Sequence, residues 1–288
     1  MVSIPVGYNI LLLLVAVLAG VCECRRLAAR GVHLAMDSVV QQSAALYLGV
    51  PLVFLCLLAF LVFTAIVPLP RGWYLPLWLS YYRETLMWGT LLVLGVFVFT
   101  VGAVVSFHTR HRERWKVVSG GVLFLMAFHG AQWYYTRPVA PGLTHEMTTD
   151  GVILQTSGAS CAAASGANIA RAFGLVKTEK EMAELFGTTK LLGTSDAQVV
   201  YGMRTLGLVA NRVEIPGADP AQLASLAMLS VDHPETGPES HAVAFMRFAN
   251  DQAEIWDPLV GKRFLTKSQL AEIWHGRGIL FNMPGSRL

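Results

Sequence analysis

Charge is scarce in this sequence. Of its 288 residues only 14% are Asp, Glu, Lys or Arg, where an ordinary soluble domain carries about a quarter. Hydrophobic residues make up 54% and the mean hydropathy is +0.50. That composition excludes both an intrinsically disordered chain and a single water-soluble globule. Cysteine is scarce as well, four in all, which excludes a disulfide scaffold. No Gly-x-x-x-x-Gly-Lys-Ser/Thr loop occurs, so the chain is not itself an ATPase. A net charge of +3 without a basic patch interleaved with aromatics gives no reason to invoke nucleic acid. No Lys or Arg precedes Arg25, so the apolar N-terminal stretch lacks the positive region that opens a signal peptide.

The few charges are unevenly placed. Residues 1–135 hold 9 Lys/Arg and 4 Asp/Glu, a net of +5, and residues 136–288 hold 13 and 15, a net of −2. The two halves therefore suit different solvents: a membrane domain over 1–136, a linker over 137–150 and a water-facing domain over 151–288. Four apolar stretches, at about 6–22, 47–69, 85–107 and 117–135, approach or exceed the roughly 20 residues that cross a hydrocarbon core. The fourth is the most polar, with Gly120, Gly121, His129 and Gln132. Arg25, Arg26 and Arg30 follow the first stretch, and Arg110, Arg112, Arg114 and Lys116 follow the third. The intervening loop, Pro70 to Glu84, has only Arg71 and Arg83 among Trp73, Tyr74, Trp78, Tyr81 and Tyr82. Seven basic residues against two place the first and third connections in the cytoplasm, and the aromatic belt suits the other face. The expectation is a multi-pass cell-membrane protein with the C-terminal domain outside the cytoplasm, on the periplasmic or outer face. Cys22-Glu23-Cys24 resembles a metal pair only superficially, because helical residues two apart point to different faces. His129 and Gln132 share a helix face and suit bonding across the bundle.

In the second half, Arg137-Pro138-Val139-Ala140-Pro141-Gly142 breaks the last apolar helix. A strand is expected at Val152–Gln155, then a turn, then an Ala-rich helix Cys161–Phe173. A capping box, Thr178 with Glu181, starts a second helix, and a third runs from Ser195 through Arg204. Asp219-Pro220 starts a short helix to Leu226. Strands follow at Ala227–Val231, His241–Phe248, Ala253–Asp257 and Arg263–Leu265, then a helix Lys267–Trp274 and a strand Ile279–Asn282. Helices first and an antiparallel sheet afterwards is an α+β order.

Cys161 is the one cysteine outside the membrane half. It follows a Gly/Ser turn at a helix start, where open backbone N–H groups and the helix dipole favour a thiolate and can hold an oxyanion. His241 begins an apolar strand and Asp257 ends the next. The short connection Ala249–Gln252 makes these strands a hairpin, which carries Asp257 towards His241 and lets the pair lie against the helix of Cys161. Nucleophile, base and an acid that fixes the base's tautomer are what thiol acyl transfer requires. Gln155, at the end of the preceding strand, offers an amide to the oxyanion. His145, His233 and His275 compete with His241, but none has a suitably placed acid one strand away.

Val152-Ile153-Leu154-Gln155 with Cys161 six residues on, His241-Ala242-Val243, and Ile255-Trp256-Asp257-Pro258 together resemble the C39 peptidases, papain-like cysteine proteases known as leader-cleaving domains of bacteriocin exporters. The separations of 6, 80 and 16 from Gln to Cys, Cys to His and His to Asp are similar to that family's pattern, and the likeness spans about Gly151 to Asn282. The family usually has Asp-Cys-Gly where this chain has Ser160-Cys161-Ala162. The resemblance implies an α+β papain-like cysteine peptidase domain, which the four apolar stretches join to a multi-pass α-helical membrane domain. Cys161 would be the nucleophile, His241 the base, Asp257 its orienter and Gln155 the oxyanion donor, with no metal or organic cofactor. The expected partners are the lipid bilayer, a peptide or protein precursor that is exported or membrane-tethered, and a separate export or membrane complex. Two other readings stand beside it: a non-catalytic peptide-binding or assembly subunit of a membrane complex, and a thiol acyltransferase that passes the acyl group to an amine.

Overall fold

The structure is a computed structural model that describes residues 6–29, 56–60, 76–106 and 111–285. It divides into two compact units that meet at Tyr134 and Tyr135.

The N-terminal unit contains helices α1 (Val6–Ala29), α2 (Leu77–Ser106) and α3 (His111–Thr136). Its apolar interior gathers Ala16, Trp88, Leu92, Val93, Val96 and Phe128. Trp88 meets Phe128 edge to face at 5.5 Å. Gly95 leaves room for the ring of Phe124, which a Cβ at that position would overlap. The opposite faces are apolar too: Leu11, Leu14 and Leu18 on α1 and Leu123, Met126 and Trp133 on α3 are exposed. The first, third and fourth apolar stretches are thus helical, each longer than its apolar run. Trp78, Tyr81 and Tyr82, expected in a loop, lie on α2 because the helix starts at Leu77. The second stretch, 47–69, falls outside the described residues except for a helical segment at 56–60. Among the described residues, Leu79–Val104 is the one helical stretch long and apolar enough to cross a membrane. Gln132 does bond across the bundle, accepting from Asn9 Nδ2 at 3.0 Å. His129 instead turns back on its own helix, its Nδ1 2.8 Å from the Leu125 carbonyl. Cys22 is exposed and Cys24 buried, as opposite faces require.

The C-terminal unit starts at Tyr135, and the segment 137–150 belongs to it. Val139, Ala140 and Leu143 are buried, and β1 (Glu146–Met147) pairs antiparallel with β2 (Ile153–Leu154). Three helices follow: α4 (Cys161–Ala172), α5 (Glu179–Phe186) and α6 (Asp196–Thr205). Thr178–Glu181 and Ser195–Gln198 capping boxes start α5 and α6, satisfying donors that the first turn cannot. Phe186 is fully buried where Gly166 of α4 and Gly202 of α6 leave space for its ring. The remaining chain makes a six-stranded antiparallel sheet in the order β3-β8-β4-β5-β6-β7. The strands are β3 (Val209–Glu214), β4 (Ala227–His233), β5 (Gly237–Ala249), β6 (Gln252–Asp257), β7 (Gly261–Thr266) and β8 (Trp274–Asn282), with α7 (Lys267–Ile273) between the last two. One apolar cluster of the sheet joins Leu229, Val231, Val243, Phe245 and Ile255 to Leu270 of α7 and to Trp274.

The α+β order is as expected, and several boundaries differ for local reasons. β3 carries no alternation strong enough to declare a strand. It becomes one by pairing with β8 over six residues. The helix expected after Asp219-Pro220 is a single 3₁₀ turn, Pro220–Gln222, because Leu223 leaves it to join the apolar cluster. Trp274 opens β8 rather than closing α7. It is fully buried, and its indole N–H donates to the Arg277 carbonyl at 2.7 Å. β5 begins at Gly237, because β4 runs past an irregularity between Val231 and His233 and pairs His233 with Gly237. His241 therefore sits inside the strand rather than at its start.

Candidate active site

Three local structures bring the chemistry together. The first is the turn before α4. Ser160 Oγ donates to the Ser157 carbonyl at 2.8 Å and accepts from Ser157 N–H at 3.2 Å. The first helical bond of α4 runs from Ala164 N–H to the Ser160 carbonyl at 3.0 Å. Cys161 is thus the first helical residue, half-buried, where backbone N–H groups are not yet used by the helix. The second is the β5–β6 hairpin, turned through Asn250 and Asp251, both at positive φ, the conformation that matches strand twist in a two-residue turn. Its register pairs Ala244 with Trp256, so His241 and Asp257 fall on one face, diagonally placed. The third is the β6–β7 turn, where Gly261 at φ 96 pairs back to Asp257.

His241 Nε2 and Asp257 Oδ1 are 3.0 Å apart, and both residues are buried, 7% and 6% exposed. With Nε2 so engaged, Nδ1 is the nitrogen left to make the hydrogen bond between His241 and the Cys161 thiol. Ser165 Oγ donates to the Ala242 carbonyl at 2.9 Å, fixing α4 on β5 beside this pair. Asp257 Oδ1 also accepts from Leu259 N–H at 2.9 Å, and Oδ2 lies 3.4 Å from Arg263 Nη1.

The electrostatics follow from these contacts. Burial opposes ionisation of Cys161, yet the hydrogen bond to His241, the Ala242 N–H, the imidazolium charge and the Ala162 N–H together hold the thiol below its usual value. Burial likewise opposes charging of His241, and the bonds to Asp257 and Cys161 overcome it, raising the imidazole from 6.5 to about 9. Asp257 is kept below the ordinary carboxylate range against its own burial by His241, Leu259 N–H and Arg263. Both shifts act in one direction, favouring a thiolate facing an imidazolium.

Gln155 is tied into the same corner. Its N–H donates to the Pro258 carbonyl at 2.8 Å, and its side-chain Nε2 donates to the Ser157 carbonyl at 3.1 Å. Its Oε1 is buried without a hydrogen-bond partner among the described residues. Two fully buried polar residues that the sequence did not single out hold this strand. Asn168 of α4 accepts from Ile153 N–H at 2.8 Å and donates to its carbonyl at 2.9 Å. Glu179 accepts from Thr156 N–H at 2.9 Å and from Thr156 Oγ1 at 2.8 Å. Arg263 was also unforeseen, because only the pairing of Ile255 with Arg263 brings it beside Asp257.

The competing histidines require one correction. His275 does have an acid: its Nε2 is 2.9 Å from Asp232 Oδ2. β4 and β8 are neighbours in the sheet although 40-odd residues separate them in sequence, so a search of adjacent strands misses the pair. His275 is exposed, and among the described residues no thiol contact accompanies it. The His233 ring lies 5.5 Å from that of His241, so His233 walls the site. Among the described residues no three His, Cys, Asp or Glu side chains converge as a metal set would.

An α+β domain that aligns thiol, imidazole and carboxylate at a helix N-terminus has the arrangement of thiol acyl-transfer sites. Residues 150–286 match the family model of the Peptidase C39 family. No curated protein matches the chain. Among solved structures the domain is similar to a double glycine motif protease from an AMS/PCAT transporter in complex with the leader peptide, at 18% identity, covering 51% of this chain and 95% of that one, with a TM-score of 0.39. It is also similar to the peptidase domain of Streptococcus ComA, a bi-functional ABC transporter involved in quorum sensing, at 20% identity over 45% of this chain and 96% of that one, with a TM-score of 0.40. The corresponding domain of Streptococcus mutans ComA gives 20% identity, 45% and 96% coverage, and a TM-score of 0.35.

Proposed function

We propose that the chain is a membrane-anchored cysteine peptidase of C39 type that cleaves a peptide or protein precursor near the bilayer. The observation that carries this reading is the aligned Cys161–His241–Asp257 set in a domain that matches the C39 family model. The Cys161 thiolate attacks the scissile carbonyl carbon, forming a C–S bond while the carbonyl electrons move to oxygen. Backbone N–H groups of the first turn of α4 and the second N–H of the Gln155 amide, the first being used by Ser157, hold that oxyanion. His241 delivers its Nδ1 proton to the leaving amine. It then takes a proton from water as the hydroxide adds to the thioester carbonyl; collapse of that adduct breaks the C–S bond, releases the acid product and restores the thiolate beside a protonated His241. Asp257 fixes the ring through Nε2 and sustains its positive charge.

The membrane part of the proposal rests on the apolar outer faces of α1 and α3 and on Leu79–Val104. The basic-loop bias puts the peptidase domain outside the cytoplasm. Comparison of protein N-termini by mass spectrometry between cells carrying the native chain and cells carrying Cys161→Ala tests the reading. Loss of a defined set of new N-termini in the variant, with the protein still folded and at its usual level, is the expected result. Full function of a folded Cys161→Ala chain would sink the peptidase reading in favour of a peptide-binding subunit.

A further inference from the structure

Between α5 and α6 the chain makes a tight loop whose tip is Lys190-Leu191-Leu192. All three residues are exposed, the two leucines by 46% and 51%. The loop is built to hold them there. Thr189 and Gly193 exchange backbone hydrogen bonds at 3.0 and 3.2 Å. Leu192 N–H donates to Thr189 Oγ1 at 3.1 Å, and the Thr188 and Thr194 hydroxyls meet at 2.7 Å.

The base of the loop is joined to the first residues after α3. Lys190 N–H donates to the Arg137 carbonyl at 3.0 Å, Val139 N–H donates to the Thr188 carbonyl at 3.1 Å, and Pro138 bridges to Thr189. Arg137 directly follows Thr136, the last residue of α3. Consecutive Cα atoms are about 3.8 Å apart whatever the orientation of the two units, so the loop is tethered to the end of that helix. That end carries Trp133, Tyr134 and Tyr135, all exposed, a sequence suited to the headgroup level. The other side of the loop borders the nucleophile turn: a Cβ at Gly193 would lie 3.4 Å from the Ala159 carbonyl oxygen.

We infer that Lys190-Leu191-Leu192 seats in the headgroup layer of the bilayer and so presents the Cys161 site to peptides tethered at, or emerging from, the membrane surface. Two leucines reach the acyl boundary while Lys190 pairs with anionic headgroups, the division of labour of interfacial segments. The inference rests on the membrane-anchored reading above, and its test separates the two.

The full-length chain, with its four cysteines replaced by serine, is reconstituted in vesicles of phosphatidylcholine and phosphatidylglycerol. Single nitroxides are placed at Leu191→Cys, Leu192→Cys, Val98→Cys and Val176→Cys, and collisions with oxygen are compared with those of a water-soluble nickel chelate. Val98 is an exposed position within Leu79–Val104, and Val176 is 88% exposed in the C-terminal domain. The expected result is a shift towards oxygen at Leu191, Leu192 and Val98, with Val176 favouring nickel. Oxygen preference at Val98 with nickel preference at Leu191 and Leu192 would overturn the inference and leave the anchor standing; nickel preference at Val98 would overturn both. A benzoylphenylalanine at position 191 in the chain with its native cysteines supplies a second measurement. Photolysis should add the mass of a phospholipid to that peptide, and crosslinks to protein alone would overturn the inference.

Discussion

Replacing Asp257 by Asn keeps the shape of the carboxyl group and its acceptor for His241 Nε2–H, but removes the charge. In the native chain the imidazole is raised from 6.5 to about 9 in spite of its burial. At about 1.4 kcal/mol per tenfold change, that is a net preference for the imidazolium of about 3 kcal/mol, shared between Asp257 and the Cys161 thiolate. The signs follow from the pair. Below the depressed value of Cys161 the thiolate takes up a proton, and above the raised value of His241 the imidazolium loses one, so the ion pair exists between these limits. Without the Asp257 charge both limits should move inward, the lower one up and the upper one down, each by about one pH unit, with kcat/KM at neutral pH falling by about ten- to a hundredfold. Alkylation of Cys161 by iodoacetamide reads the lower limit, because only the thiolate reacts. Its rate must be followed on the Cys161 peptide by mass spectrometry, since Cys22 and Cys56 are exposed as well. Turnover reads the upper limit, where the acid is lost. If Asp257→Asn leaves both limits where they are, the carboxylate does not tune His241 and the electrostatic account of the site is wrong.

Gln155→Ala should lower kcat by roughly 10²–10³-fold with little change in KM, the usual cost of one oxyanion donor; a change confined to KM would make it a substrate contact instead. Phe186→Ala empties the space between α4 and α6 and should cost about 3–5 kcal/mol of stability, measured by denaturant unfolding of the full chain; a loss under 1 kcal/mol would contradict its place in the core. For topology, a cysteine at Val176 should react with an impermeant maleimide in intact cells while one at Arg112 should not, and the reverse pattern would put the peptidase domain in the cytoplasm.

Local chemistry was legible where it depends on nearby residues. The Gly/Ser turn ahead of an Ala-rich run placed Cys161 at the first helical position, the Thr178–Glu181 box started α5 as read, and Ala249–Gln252 closed the hairpin that puts His241 and Asp257 on one face. Each of these is decided within a few residues, by capping, by turn conformation or by the two-residue period of a strand. Tertiary structure decided what depends on partners remote in sequence. Arg263 reaches Asp257 only through the β6–β7 register, and His275 meets Asp232 only because β8 inserts beside β4. Buried Glu179 and Asn168 acquire their roles from backbone groups 15 to 23 residues away. The segment after α3 reads as a stiff linker from its prolines. It is part of the domain because Val139, Ala140 and Leu143 find a core to enter and Arg137 finds Lys190. A local pattern fixes what a segment can form, while burial and backbone hydrogen bonding across the chain fix which neighbour it meets.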